Sequence, residues 1–168
     1  MSRFLDQVEE CVPALRRYAR ALTHNSDIAD DLVQDCLERA IRKSGLWRPT
    51  GSLQAWLFKM LLNIHRNNLR QRRRAPESMP IASLPVEPQV QSASPGRLAF
   101  AETARAMQAL PAEQREALLL IAVEGLSYTE AAGVLEIPVG TLMSRLGRAR
   151  AALRSLTEEG GPKLRTMK

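Results

Sequence analysis

Apolar residues recur at helical spacing from Phe4 to Leu22, the period of a helix that buries one face. Asn25 or Ser26 can cap a second helix that opens with Asp27, Asp30 and Asp31 and runs to about Lys43, because short polar side chains satisfy free N–H groups and acids complement the partial positive charge of a first turn. Gly45, Pro49 and Gly51 make SGLWRPTGS a loop, and Ser52 caps LQAWLFKMLLNIHRNNL, a helix that starts apolar and ends basic. Between Ala75 and Gly96 stand five prolines and four serines, the composition of an extended linker whose span is roughly 5 to 6 Å times the square root of its length, or tens of ångströms. Its Met79, Ile81, Leu84 and Val86 are more apolar than a solvated tether requires and suit docking onto a partner. A second module begins near Leu98, with a helix through Leu110, a proline-started helix PAEQREALLLIAVEG and the stretch GLSYTEAAGVLEIPVGTLMSRLGRARAAL.

That last stretch carries the most specific local chemistry. Ser127, Tyr128, Thr129 and Glu130 form an S-x-x-E capping box that starts a short helix. Ala131 and Ala132 leave room for another helix to cross closely, and Leu135 precedes a break at Glu136, Ile137 and Pro138. From Val139 onward Leu142, Leu146, Ala149 and Leu153 share one face, while Thr141, Ser144, Arg145 and Arg148 share the other. A short helix, a tight turn and a helix with a polar, cationic face is the helix-turn-helix arrangement, which seats its second helix in a DNA major groove. Arginine there can fork onto guanine or clamp a phosphate, and hydroxyls reach bases or backbone.

Composition supports helices throughout: aromatic residues are 4% of the chain and Ala, Leu, Arg, Glu and Gln dominate, residues that lose little freedom in a helix. The expected fold class is all-α, with two small helical domains joined by a flexible linker and a helix-turn-helix in the second. The 168 residues, 45% of them hydrophobic, suffice for such cores.

Charge adds a partner. The net charge is +6, which favours a polyanion, and its distribution is uneven. Residues 1–38 hold eight acids against four bases, and 39–74 hold ten bases and no acid; 95–138 hold six Glu against three Arg, and 139–154 four Arg with no acid. In the first basic block Arg66, Arg70, Arg72, Arg73 and Arg74 crowd a helix end beside Asn63, Asn67 and Asn68. Guanidiniums and amides together form a track for single-stranded nucleic acid; a solvated helix end has the same composition.

Cys11, His24, Cys36 and His65 lack the paired spacing of a zinc site and read as small buried thiols and partly exposed histidines, so no metal ligand is assigned. No cofactor motif is visible. MSRFLDQVEE is not a signal peptide and no apolar run is long enough to span a membrane, so the expected location is the cytoplasm, without membrane insertion.

The motifs in their order resemble the extracytoplasmic-function, or group four, sigma factors, the minimal two-domain promoter-specificity subunits of bacterial RNA polymerase within the sigma-70 family. DDLVQDCLERA is similar to that family's D-L-V-Q-E-x-F segment, LQAWLFKMLLNIHRNNLRQRRR to its A-W-L helix and promoter-melting segment, and LPAEQREALLL with LSYTEAAGVLEIPVGTLMSRLGRAR to its carboxy-terminal DNA-binding domain. The resemblance implies region 2 at 1–75, a linker at 76–96 and region 4 at 97–168. It implies that Asp31, Gln34, Asp35 and Glu38 dock on the clamp coiled coil of the largest polymerase subunit, with a further contact to the flap. It implies that Asn63, Asn67, Arg70, Arg72, Arg73 and Arg74 receive the minus-ten element, and that Thr141, Met143, Ser144, Arg145, Gly147 and Arg148 read the minus-thirty-five element. Promoter DNA, the polymerase core and an anti-sigma protein are the implied partners, and catalysis is left to the polymerase.

The chain departs from the pattern at Glu136, where many members carry Gly in the turn, at Met143, where a basic residue is frequent, and at Gly147, where a larger side chain is frequent. An ordinary helix-turn-helix regulator would need a ligand-binding or dimerisation domain before the reading module, and a site-specific recombinase a strand-rich catalytic domain; residues 1–74 suit neither.

Overall fold

A computed structural model describes residues 2–48, 51–75 and 95–160. The described residues form helices α1 (Ser2–Thr23), α2 (Ser26–Arg42), α3 (Leu53–Arg74), α4 (Pro95–Ala109), α5 (Ala112–Leu118), α6 (Tyr128–Leu135) and α7 (Val139–Gly160), and no strand among them. The body of the linker, with Met79, Ile81, Leu84 and Val86, lies outside the described residues. α4 starts at Pro95, just inside the segment expected to be linker.

The caps sit where short polar side chains called for them. Asn25 Oδ1 accepts the Ile28 N–H at 3.0 Å and starts α2, and Ser52 Oγ accepts the Ala55 N–H at 3.2 Å and starts α3. At α6 both halves of the capping box form, with the Glu130 N–H donating to Ser127 Oγ and the Ser127 N–H to Glu130 Oε2, each at 3.1 Å. α5 differs from expectation: PAEQREALLLIAVEG is not one regular helix but widens into a π turn at Leu119–Val123, where the Glu124 N–H donates five residues back to Leu119. Such a turn shifts the register of the residues that follow it.

α1, α2 and α3 make the first module, with Leu15, Tyr18, Ala19, Leu32, Val33, Cys36, Leu57 and Leu61 buried between them. The Tyr18 and Phe58 rings meet edge to face, centroids 5.0 Å apart, a favoured aromatic geometry. Burial pushes the Cys36 thiol pKa up to about 12, and its Sγ lies 3.5 Å from the Leu57 carbonyl oxygen. In the second module α5, α6 and α7 bury Leu120, Ala131, Ala132, Val134, Leu142, Leu146 and Ala149.

The two modules do not stand apart. Their buried residues form one contiguous cluster, because α3 packs on α1 and α2 with one side and on α6 with another. Leu57, Phe58, Met60, Leu61, Leu62 and Ile64 are all buried, more than one apolar stripe, as a helix enclosed on several sides requires. Ion pairs rim the seam. Arg17 donates from Nε and Nη2 to both oxygens of Glu124 at 3.0 and 2.7 Å, Arg66 Nη2 donates to Glu116 Oε2 at 2.7 Å, and Lys59 Nζ stands 3.3 Å from Glu136 Oε1. The Tyr18 hydroxyl adds a long hydrogen bond to the Glu116 carbonyl at 3.4 Å. Pairing explains how the carboxylates of Glu116 and Glu124 are tolerated with side chains only 8% and 1% exposed. No helix among the described residues is long and apolar enough to cross a membrane.

The same seam makes the packing sensitive to acid. His24 and His65 have pKa values lowered from their ordinary 6.5, first by burial and then by the Arg115 guanidinium of α5; Arg72 and Arg66 add to the effect at His65. A histidine with a lowered pKa in the folded state contributes stability that is complete above 6.5 and is lost as pH falls through the lowered value. The thermal midpoint should therefore fall as pH drops from neutrality into the range just below 6.5, and a His24→Gln/His65→Gln double variant should show a flatter profile over that interval. A variant profile as steep as that of the parent would place the acid sensitivity elsewhere.

Candidate polymerase and nucleic-acid interfaces

On α2 the buried residues Ala29, Leu32, Val33, Cys36 and Ala40 define the inner face. Asp31, Gln34, Asp35 and Glu38 are all exposed and fall at i, i+3, i+4 and i+7, so they form one outer ridge. The ridge is loosely tied along its length: Gln34 Nε2 donates to Glu38 Oε1 at 3.4 Å, and Glu38 lies 3.6 Å from Arg42. Exposed pairs of this kind contribute little to folding, so these groups remain available to a partner.

The basic end of α3 divides. Asn63, Asn67, Arg70 and Arg74 are exposed and share one helical face by spacing, which continues backwards to Lys59 and Trp56. Arg72 lies on the opposite side, where it lines a cleft of about 210 Å³ together with His65, Asn68, Leu69, Arg115 and Glu116, and Arg73, exposed, falls on the flank. The six residues that the resemblance assigns to the minus-ten element thus do not share one helical face, because consecutive helical positions turn by about a quarter to a third of a circle each.

At its upper end the stripe opens into a cavity of about 250 Å³ lined by Arg39, Lys43, Leu46, Trp56, Lys59, Met60 and Asn63. Leu46, 72% exposed, comes from the 3-10 turn Ser44–Leu46 after α2. An aromatic ring, two aliphatic side chains, an amide and three cations are the parts needed to stack an unpaired base, bond its edge and hold its phosphate. In the sequence Leu46 falls in the SGLWRPTGS loop and Trp56 in the apolar start of the helix LQAWLFKMLLNIHRNNL, and nothing singles out Arg39, Lys43 or Lys59. The signal that could have found them is helical spacing back from Asn63, with Trp56 at i−7 and Lys59 at i−4.

In the second module Glu136 takes the left-handed conformation, φ 56° and ψ 44°, at the end of α6. That conformation is cheap for Gly and costly for most other residues, so the turn tolerates a side chain at the expense of strain. α7 follows with Leu142, Leu146 and Ala149 buried and Thr141, Met143, Ser144, Gly147 and Arg148 exposed. Arg145 departs from the expected outward face: its side chain is 19% exposed and lies 3.5 Å from Glu113 of α5. It begins at the edge of the packed face, and an acid on the neighbouring helix draws it aside. Thr141, Ser144, Arg145 and Arg148 line, with Pro111, Glu113 and Gln114, a recess of about 330 Å³. At Gly147 an added Cβ would meet nothing within 4 Å, so no packing within the chain requires glycine there.

Taken with the all-α architecture, the turn and its exposed second helix define a DNA-binding protein of two helical modules. Residues 8–62 match the family described as the Sigma2 domain of PhyR, and residues 100–153 match Sigma-70, region 4. Over 162 residues the chain is 40% identical to the ECF RNA polymerase sigma factor EcfG of Rhodopseudomonas palustris (strain TIE-1), covering 94% of this chain and 89% of that one. Among solved structures it is similar to the sigma factor RpoE in complex with the anti-sigma factor NepR from Bartonella quintana, with a TM-score of 0.78, 33% identity and coverage of 94% and 98%. It is also similar to CnrH in complex with the cytosolic domain of CnrY, with a TM-score of 0.71, 29% identity and coverage of 96% and 92%. The chain belongs to the extracytoplasmic-function sigma factors of bacterial RNA polymerase.

The recess on α7 sets Arg148 apart from Arg154. Arg148 borders it beside Ser144 and Thr141, whereas Arg154 is exposed more than a turn further on. A bidentate arginine–base contact contributes about 1 to 3 kcal/mol of discrimination, while a phosphate contact shifts affinity for all sequences alike. In a binding selection on randomised upstream elements, Arg148→Ala should relax preference at one position, and Arg154→Ala should lower affinity with the preference unchanged. An Arg148→Ala variant that keeps the parent preference would make Arg148 a phosphate clamp.

Proposed function

We propose that the chain directs RNA polymerase core to a specific set of promoters and helps separate the strands there, with residues 1–75 acting as region 2, 76–96 as the tether and 97–168 as region 4. The observation that carries this reading is the presence in one chain of the Trp56–Lys59–Asn63 cavity and the exposed face of α7, within a sequence 40% identical to EcfG over nearly its whole length. The acidic ridge Asp31, Gln34, Asp35 and Glu38 docks on the clamp coiled coil of the largest subunit, and region 4 engages the flap. An unpaired base of the minus-ten element enters the cavity beside Trp56 and Asn63, and the strand follows Asn67, Arg70 and Arg74, with Arg73 supplying field from the flank and Arg72 from the far side of the helix. Thr141, Met143, Ser144, Gly147 and Arg148 face the minus-thirty-five element, and Arg145 acts from its edge. The chain supplies position and charge, the polymerase supplies nucleotidyl transfer, and both work in the cytoplasm.

Regulation by an anti-sigma protein has a physical seat. A cavity of about 650 Å³ lies between α1, α4, the π turn and α7, with Ala21, Met107, Leu118, Leu119, Val123 and Leu153 in its lining and Arg17, Arg20 and Arg115 at its rim. Apolar walls with a cationic rim fit an amphipathic helix flanked by acids, and the similar RpoE was solved in complex with the anti-sigma factor NepR and CnrH with the cytosolic domain of CnrY.

Run-off transcription with core polymerase on genomic fragments tests the reading. Discrete transcripts that require the chain are expected, and the Asp35→Lys/Glu38→Lys variant should lose core association and transcripts together while remaining helical by circular dichroism. Promoter binding without core and without stimulated transcription would instead identify an ordinary helix-turn-helix regulator.

A further inference from the structure

The cation at the rim of the base cavity is already occupied. Lys59 lines that cavity, and its Nζ stands 3.3 Å from Glu136 Oε1, a carboxylate in the turn that introduces the reading helix. The next cation along α3, Arg66, donates to Glu116 of α5 at 2.7 Å. Two acids of region 4 thus hold two cations of region 2, Glu116 at the 2.7 Å of a charge-assisted hydrogen bond to an anionic oxygen and Glu136 at the longer 3.3 Å of an exposed ion pair. Glu136 does so from a left-handed backbone conformation in which a non-glycine residue is strained.

The closed packing is also incompatible with promoter reading. The minus-ten and minus-thirty-five elements lie about 25 base pairs apart, or roughly 85 Å at 3.4 Å per base pair. α6 touches both α3 and α7, and helices are about 10 to 12 Å across, so the two DNA-facing surfaces stand within a few helix diameters of each other.

We propose that Glu136 is an internal stand-in for a promoter phosphate: with Glu116 it closes region 4 over region 2, masking Lys59 until DNA and polymerase displace it. The proposal rests on the sigma reading of both surfaces. Glu116–Arg66 is the inner pair, with side chains 8% and 29% exposed, and Glu136–Lys59 the outer one, 56% and 44% exposed. An exposed pair is weak, so Glu136 sets how easily the closed form opens and does not lock it.

The test uses the full chain with Glu136→Gln, which keeps a side chain in the turn and removes the charge, and Glu136→Gly, which removes both charge and strain. Two quantities are read at low salt: the rate of Lys59 acetylation by mass spectrometry, and affinity for a short single-stranded DNA of mixed sequence by fluorescence anisotropy. Each variant should raise Lys59 reactivity and tighten DNA binding by about two- to fivefold, the range for loss of an exposed pair when binding requires the open form. The radius of gyration measured by X-ray scattering, a third readout, should rise in each variant and return to the parent value in a Lys59→Glu/Glu136→Lys exchange. Unchanged reactivity and affinity in both variants would overturn the proposal, and so would raised reactivity with no gain in affinity, which would reduce the pair to an ordinary surface contact. Run-off transcription by holoenzyme carrying either variant reports separately on the sigma reading, which stands or falls on transcripts and not on Lys59.

Discussion

The arrangement of the molecule depends on the burial of α3 from more than one side. Leu57, Phe58, Met60, Leu61, Leu62 and Ile64 are buried around much of its circumference, and a helix of that kind cannot be satisfied by α1 and α2 alone. Covering its remaining apolar surface brings α6 onto it, and that approach decides which charges meet. Glu116 and Glu124 are then carried out of water with the region 4 helix, and each is tolerable because a guanidinium from the first module reaches it at 2.7 Å. Removing one member of such a pair leaves an uncompensated buried charge, which costs more than the pair itself contributes. Hydrophobic burial therefore sets the contact, and the ion pairs set its register.

What the sequence disclosed follows from the range of the interactions involved. Asn25, Ser52 and the Ser127–Glu130 box act on backbone groups three residues away, so residue order alone revealed where α2, α3 and α6 begin. The apolar face of α7 was legible for the same reason. Arg17 and Glu124 are 107 positions apart, and Arg66 and Glu116 are 50; nothing local marks either pair. One sign was present and went unused: an amphipathic surface helix does not need the near-continuous apolar run LFKMLLNI. The π turn at Leu119–Val123 had no local signal, because LLLIAV suits a regular helix equally well.

On α3 the placement of the candidate residues in the folded chain differs from their grouping in the sequence, because helix phase separates neighbours. Residues adjacent in sequence were grouped on α3 as one basic block, yet the helix distributes Arg70 and Arg74 to the stripe that includes Asn63 and Asn67, and Arg72 to a cleft against α5. A basic run on a helix is a statement about net charge, and only its phase says which anion each member can face. The stripe gains from this division. Cations on one line with Trp56 and Asn63 can follow a single strand, whereas cations all round the helix raise the local potential without ordering the chain that enters it.

The departures at Glu136, Met143, Arg145 and Gly147 separate on the same physical ground. Met143 and Gly147 are exposed, and nothing within the chain lies close enough to Gly147 to fix its size. Gly in a helix interior costs about 1 kcal/mol relative to Ala, and among the described residues nothing lies within 4 Å of where a Cβ at Gly147 would stand, so packing there does not explain the glycine. Arg145 and Glu136 are different in kind: each has an oppositely charged partner within the chain, Glu113 at 3.5 Å and Lys59 at 3.3 Å. Their identities are held partly by the folded, closed chain, and a substitution at either changes the protein before any DNA arrives. Residues of α7 that face only outward can therefore be changed with little effect on the fold, and residues that also face inward constrain how far the helix can be redesigned without altering the packing behind it.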